Sequence, residues 1–206
     1  MDGKNIVKLV NLYQEYFEKT GKEDLTDFFN WYLLTMDSKL TENFDQTEVD
    51  RKIAYLINRL SKFSRFYSKK ILADFSINSI DEFYFLLSIY KLKNPAKNEV
   101  YFDTVTELTT GTQILKRLIA MKLVEEFTDV EDKRIKRVRL TKQGVEIKDA
   151  IFNRFTETVK LKTGNLNISS KLELLSILEN LNSFHEKVYK VDSEMTVDEI
   201  IRKNIY

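Results

Sequence analysis

A single proline, Pro95, and five glycines are all that punctuate this chain, and so little punctuation commits it to long helices. Charged residues make up 32% of the sequence, enough to solvate one face of each helix while apolar residues line the other. The spacing agrees. Ile6, Leu9, Val10, Tyr13 and Phe17 recur at helical intervals over residues 5–19. Gly21 interrupts that run, and Asp24 is placed to cap a second short helix holding Phe28, Phe29, Trp31, Tyr32 and Leu33. The polar stretch 37–47 reads as a linker. A longer helix then runs from about Glu48 to Ala73, with Ile53, Leu56, Ile57, Leu60, Phe63, Tyr67 and Ile71 as its apolar stripe. Ser79 and Glu82 have capping-box spacing and open a helix from Ile80 to Leu92. Two further long helices are expected, one from Thr141 to Gly164 and one from Ser170, boxed by Glu173, to about Tyr189. Thr196 and Glu199 mark a small last helix.

Between these helices lies a stretch of another kind. Leu123 to Phe127 and Arg137 to Leu140 read as short strands around a turn at residues 128–133. Val100-Tyr101-Phe102 reads as one more short strand, and Asp103 as the N-cap of a short helix ending near Leu108. Residues 109–123 form the next helix, with Leu115, Leu118, Ile119 and Leu123 on its inner face. Helix, short strand, helix, helix, hairpin is the order of a winged helix-turn-helix. The expected fold is therefore mainly α with a small β-wing, flanked by long helices.

Composition narrows the chemistry. The chain has no cysteine, which removes disulfides, thiolate metal sites and thiol nucleophiles. Its one histidine, His185, cannot make a histidine metal cluster. Glycine-rich phosphate loops and metal-ligand spacings are missing from the sequence, so neither an enzyme nor a cofactor is expected. Met1-Asp2-Gly3-Lys4 lacks the pattern of a signal peptide, and no apolar run approaches the roughly 20 residues that span a bilayer. The expected location is cytoplasmic, with no membrane partner.

The net charge of +1 conceals a strong asymmetry. Residues 1–50 carry 11 acidic and 5 basic side chains; residues 51–73 carry 7 basic and no acidic ones; residues 109–142 carry 9 basic and 5 acidic ones. A basic patch can hold a polyanion even on a neutral chain.

The hairpin carries the most specific pattern. Leu123-Val124 closes a helix and enters Glu125-Glu126-Phe127; Asp129, Asp132, Lys133 and Arg134 follow; then Leu140-Thr141-Lys142-Gln143-Gly144 opens the next helix. This resembles the MarR family of transcriptional regulators, in which a helix ends in Gly-Leu-Ile, the wing carries Asp-x-x-Asp-x-Arg, and the following helix opens with Leu-Thr-x-x-Gly. The resemblance covers residues 48–190 in element order and 108–144 in motif. Lys122 stands where the family has glycine, at a position that often needs a left-handed backbone. Gly111 stands where an apolar residue is usual, and residues 1–45 have no counterpart. The expected organisation is an N-terminal helical extension (1–45), a MarR-like domain with dimerisation helices (48–190) whose DNA-binding core is 80–141, and a C-terminal tail (191–206).

That order assigns roles. A helix in the major groove reads bases with its first turns, which here offer Thr109, Thr110, Thr112, Gln113, Lys116 and Arg117. Gln113 suits adenine; Arg117 suits guanine or, like Lys116, a phosphate. On the wing, Asp132 is placed to aim Arg134 at a minor groove, with Lys133, Lys136, Arg137 and Arg139 adding charge for phosphates. The resemblance implies a homodimer on a pseudo-palindromic duplex. The helix from Ser170, with Leu172, Leu175, Leu178 and Leu181, would supply the interface, or else pack on residues 5–35. Tyr13, Phe17, Phe28 and Trp31 are expected to pack on the dimerisation helices. The resemblance also makes a small aromatic effector a candidate ligand, with Phe63, Tyr67, Phe83 and Phe85 as candidate lining, although a stripe of this kind also serves as plain core. The rival reading is a winged-helix module that binds protein through residues 1–45 without reading DNA.

Overall fold

The computed structural model describes residues 3–29, 31–32, 45–192 and 194–205, and the chain divides into two compact units, residues 1–62 and 63–206. In the first unit, helix α1 (Gly3–Thr20) ends where Gly21 takes a left-handed backbone with φ of 66°. Residues 25–29 and 31–32 are helical, and Asp24 Oδ1 accepts the backbone N–H of Asp27 at 2.9 Å, as an N-cap should. Tyr13, Tyr16, Phe28 and Trp31 pack ring on ring between these two stretches, and Tyr16 and Phe28 are buried. Tyr13 and Trp31 both pack on Phe28, while Phe17 is exposed. Helix α2 (Gln46–Leu72) starts earlier than its polarity suggests, because Asp45 Oδ1 accepts the N–H of Thr47. Gln46 and Thr47 are therefore helical rather than linker. Leu33 and residues 37–44 of the expected linker lie outside the described residues.

The second unit holds α3 (Ile80–Leu92), α4 (Lys97–Asp103), α5 (Leu108–Ala120), β1 (Val124–Thr128), β2 (Lys136–Leu140), α6 (Lys142–Thr158), α7 (Lys160–Thr163), α8 (Ile168–Asp192) and α9 (Val197–Asn204). β1 and β2 form an antiparallel hairpin in which Val124 faces Leu140 and Thr128 faces Lys136. The core is one cluster beneath it. Phe85, Leu86 and Ile89 of α3 meet Val100 and Tyr101 of α4, Leu115 and Leu118 of α5, Val138 of β2 and Ile151 of α6. Each such side chain contributes about 1.5–3 kcal/mol by burial.

Several expectations are corrected. Val100-Tyr101-Phe102 is not a strand; it lies in α4, whose phase buries Val100 and Tyr101 together and leaves Phe102 outside. The third edge of the hairpin is taken by Pro95 and Ala96: Ala96 bridges Arg137, and the Pro95 carbonyl accepts the N–H of Val138 at 2.9 Å. Asp103 is the last residue of α4, held by Lys91 at 2.8 Å, rather than an N-cap. The helix expected from Thr141 to Gly164 divides at Val159 into α6 and α7. The helix expected from Ser170 begins at Ile168, and Asn167 Oδ1, not Ser170, accepts an N–H of its first turn.

Two glycines and a lysine explain the pattern around the wing. A Cβ on Gly144 would stand 2.0 Å from the Leu123 carbonyl oxygen, so only glycine lets α6 start against the end of α5. Thr141 completes that joint: its N–H bonds the Leu123 carbonyl at 3.0 Å, and its hydroxyl donates to the Lys122 carbonyl at 2.7 Å. A Cβ on Gly111 would meet the Tyr101 ring at 2.4 Å, so the glycine makes room for the aromatic beneath α5. Lys122 has φ of 59°, the left-handed conformation its position was expected to need.

Helix α8 is long and amphipathic in sequence, yet Leu172, Leu174, Leu175, Ile177, Leu178 and Leu181 are all exposed. Among the described residues, no helix is long and apolar enough to cross a membrane.

Candidate nucleic-acid interface

Helix α5 sorts its residues by phase. Gly111, Ile114, Leu115 and Leu118 face the core. Thr109, Thr110, Gln113, Lys116 and Arg117 face solvent, while Thr112 is half buried with its hydroxyl 3.4 Å from that of Tyr101. The face expected to read bases is therefore presented, with Thr112 at its margin.

Arg117 differs from its neighbours. Its Nε donates to Glu82 Oε1 at 2.7 Å, across 35 positions of sequence. Glu82 is fully buried in the first turn of α3, where it also accepts the N–H groups of Asn78 and Ser79. The capping-box spacing identifies Glu82 as a cap but carries no sign of this ion pair.

The wing is organised by two aspartates. Arg134 donates Nε to Asp132 Oδ1 at 3.0 Å and Nη2 to Asp132 Oδ2 at 2.9 Å, a two-pronged grip. The Arg134 side chain is nonetheless 90% exposed at the hairpin tip, so it is held and presented at once. These bonds hold the Asp132 carboxyl below its usual range and raise Arg134 above its own. Asp129 closes the turn: its Oδ1 accepts the N–H groups of Glu131 and Asp132, and its Oδ2 accepts Arg137 Nε. With Arg137 as the main cause, its carboxyl is lowered to about 2.

This settles which wing cations are committed elsewhere. Arg137 is held by Asp129 and by the Asn94 carbonyl at 3.1 Å, and Arg139 pairs with Glu125 at 2.6 Å. Lys136 bonds the Thr128 hydroxyl at 2.8 Å, and Lys133 has no ion pair among the described residues. Lys133 and Arg134 lie in the turn between the strands, and Lys136 opens β2.

Of the aromatics singled out for an effector, Phe85 is fully buried in the core and Phe83 nearly so, stacked on Phe155 at 5.3 Å. On α2, Phe63 is exposed and Tyr67 half buried. A cavity of about 300 Å³ lies between α3 and α6, lined by Phe83, Leu87, Phe152, Phe155 and Lys162. A larger one of about 610 Å³ adjoins it, with Tyr84, Ser88, Tyr90 and Lys148 on its wall. Groups of acidic and histidine side chains suited to a metal ion are absent among the described residues.

Residues 86–144 match a family model described as a winged helix DNA-binding domain. No curated protein matches the sequence. Among solved structures, a cysteine-to-serine mutant of MarR from E. coli, complexed with operator DNA, is 22% identical with a TM-score of 0.61, covering 67% of this chain and 99% of that one. A putative MarR-like transcription regulator from Bacillus cereus is 17% identical with a TM-score of 0.60, covering 66% and 97%. BpsR from Bordetella bronchiseptica, whose DNA binding is regulated by 6-hydroxynicotinic acid, is 18% identical with a TM-score of 0.59, covering 63% and 92%. These likenesses establish the fold.

Proposed function

We propose that this chain, which has the winged-helix fold of the MarR regulators, is a transcriptional regulator that binds double-stranded DNA as a homodimer on a pseudo-palindromic operator. The observation that carries the reading is the pairing, in one module, of a solvent-facing Thr/Gln row on α5 with an arginine gripped and presented on the wing. Gln113 offers adenine a two-pronged amide, and the threonines offer thymine methyl contacts. Arg134 supplies charge to the phosphates or the minor groove beside them. The exposed leucine face of α8 is the interface that would pair two copies and set two reading helices about 34 Å apart.

A small aromatic effector fits the same reading. The cavity lined by Phe83, Phe152 and Phe155 lies between α3, which braces the reading head, and α6. Occupying it would bear on the orientation of that head. Phe63 and Tyr67 would complete the site only by way of α2, and Phe85 belongs to the core beneath it. The N-terminal extension packs its own aromatic rings, and residues 191–206 include the short α9.

Binding isotherms at several salt concentrations, on selected and scrambled duplexes, test the division of labour. Gln113→Ala is expected to weaken the selected site by roughly 1–3 kcal/mol and to relax preference at one base pair per half-site. Arg134→Ala is expected to weaken all duplexes evenly. Unchanged affinity in both variants would transfer the weight to a protein-binding module.

A further inference from the structure

Glu82 does more than cap α3. One per cent of its side chain is exposed, and three donors converge on it: the N–H of Asn78 at 2.7 Å, the N–H of Ser79 at 3.3 Å, and Arg117 Nε at 2.7 Å. Capping alone does not require a charge here, since glutamine completes the same box. A buried carboxylate is costly unless paired, so the charge is explained by Arg117. Arg117 in turn is 51% exposed: one edge of the guanidinium is held by Glu82, and the rest is in water. It stands on the third turn of α5, one turn past Gln113 and last of the residues expected to face DNA, and its Nε is drawn toward the start of α3. A carboxylate holds an exposed arginine on the wing as well, where Asp132 takes both Nε and Nη2 of Arg134.

We propose that Glu82 is a positioning residue that aims Arg117 at a DNA phosphate, so that Arg117 anchors the reading helix and does not read guanine. This rests on the DNA-binding reading and adds a second aimed arginine to it, one turn further along α5 than Gln113. The two arginines fix the helix and the wing separately, and sequence is read between them.

The test uses the full chain, a selected duplex and a scrambled one, with the fold of each variant checked by circular dichroism. Arg117→Ala is expected to weaken both duplexes by the same factor, roughly tenfold or more, and to lower the log–log salt slope by about 0.9. Glu82→Gln is expected to weaken both by a smaller factor, and to add nothing in the Arg117→Ala background, because its effect passes through that arginine. Loss confined to the selected duplex in Arg117→Ala would make Arg117 a base reader and overturn the proposal. So would a Glu82→Gln effect that persists without Arg117, which marks a purely structural role. Should Glu82→Gln not fold, Arg117→Lys carries the test: it keeps the charge but loses the Nε donor, and unchanged binding to both duplexes would overturn the aiming role. Wild-type protein that binds neither duplex would overturn the DNA-binding reading itself, and this proposal with it.

Discussion

Lys122 pays for its place between α5 and β1 with a left-handed backbone, and Val105, in the turn between α4 and α5, does the same with φ of 48°. A β-branched side chain is rarely found there. Each residue is a local strain that glycine would relieve. Lys122→Gly is expected to raise stability by about 1 kcal/mol in urea unfolding, because the native conformation is one that glycine adopts freely. Val105→Gly is expected to act in the same direction. Gly144 is the converse case. With the Leu123 carbonyl oxygen 2.0 Å from the site of a Cβ, Gly144→Ala forces the start of α6 away from α5. Its cost is expected to be about 1–3 kcal/mol, as for overpacking elsewhere. A Gly144→Ala protein as stable as wild type would mean that this joint is loose.

At the scale of elements, the wing is a turn locked by carboxylates, and its acid response follows from Asp129. The folded carboxyl sits at about 2, below its ordinary value of 3.8. A group depressed in this way contributes stability that is fully present above the unfolded value and is lost as pH falls through the folded one. Amide hydrogen exchange at Glu131 and Asp132 should therefore stay protected above pH 4 and lose protection between about pH 4 and pH 2. Asp129→Asn is expected to make that protection nearly independent of pH in the same window. Much of this element was legible in the sequence: the Asp132–Arg134 spacing of two residues, the alternation of the strands and the Leu-Thr-x-x-Gly start of α6 all correspond to observed contacts. What was not legible depends on distant partners. Val100-Tyr101-Phe102 has strand-like composition, but the need to bury Val100 and Tyr101 beneath α5 makes it a helix, with Gly111 clearing the space. The Glu82–Arg117 pair joins residues 35 apart, and no periodicity encodes it.

The whole molecule presents an apolar helix that one chain leaves exposed, since Leu172, Leu175, Leu178 and Leu181 all face outward on α8. A closed two-fold pair would bury that face on both copies. Light scattering at micromolar concentration is expected to give about twice the 24.4 kDa of one chain. Paired Leu175→Lys and Leu178→Lys substitutions should yield monomer with an intact winged helix. Residues 1–45 carry 9 acidic against 5 basic side chains, a poor match for phosphates. Their deletion is expected to lower the melting temperature more than it lowers duplex affinity at matched dimer concentration. Two copies are expected to read one duplex with paired α5 helices and wings. Hydroxyl-radical footprinting on a duplex selected from a random pool tests it most directly. Two protected segments related by two-fold symmetry are expected, their centres about one helical turn apart. A selection that enriches no sequence, or a duplex left uniformly cleaved at saturating protein, would contradict it.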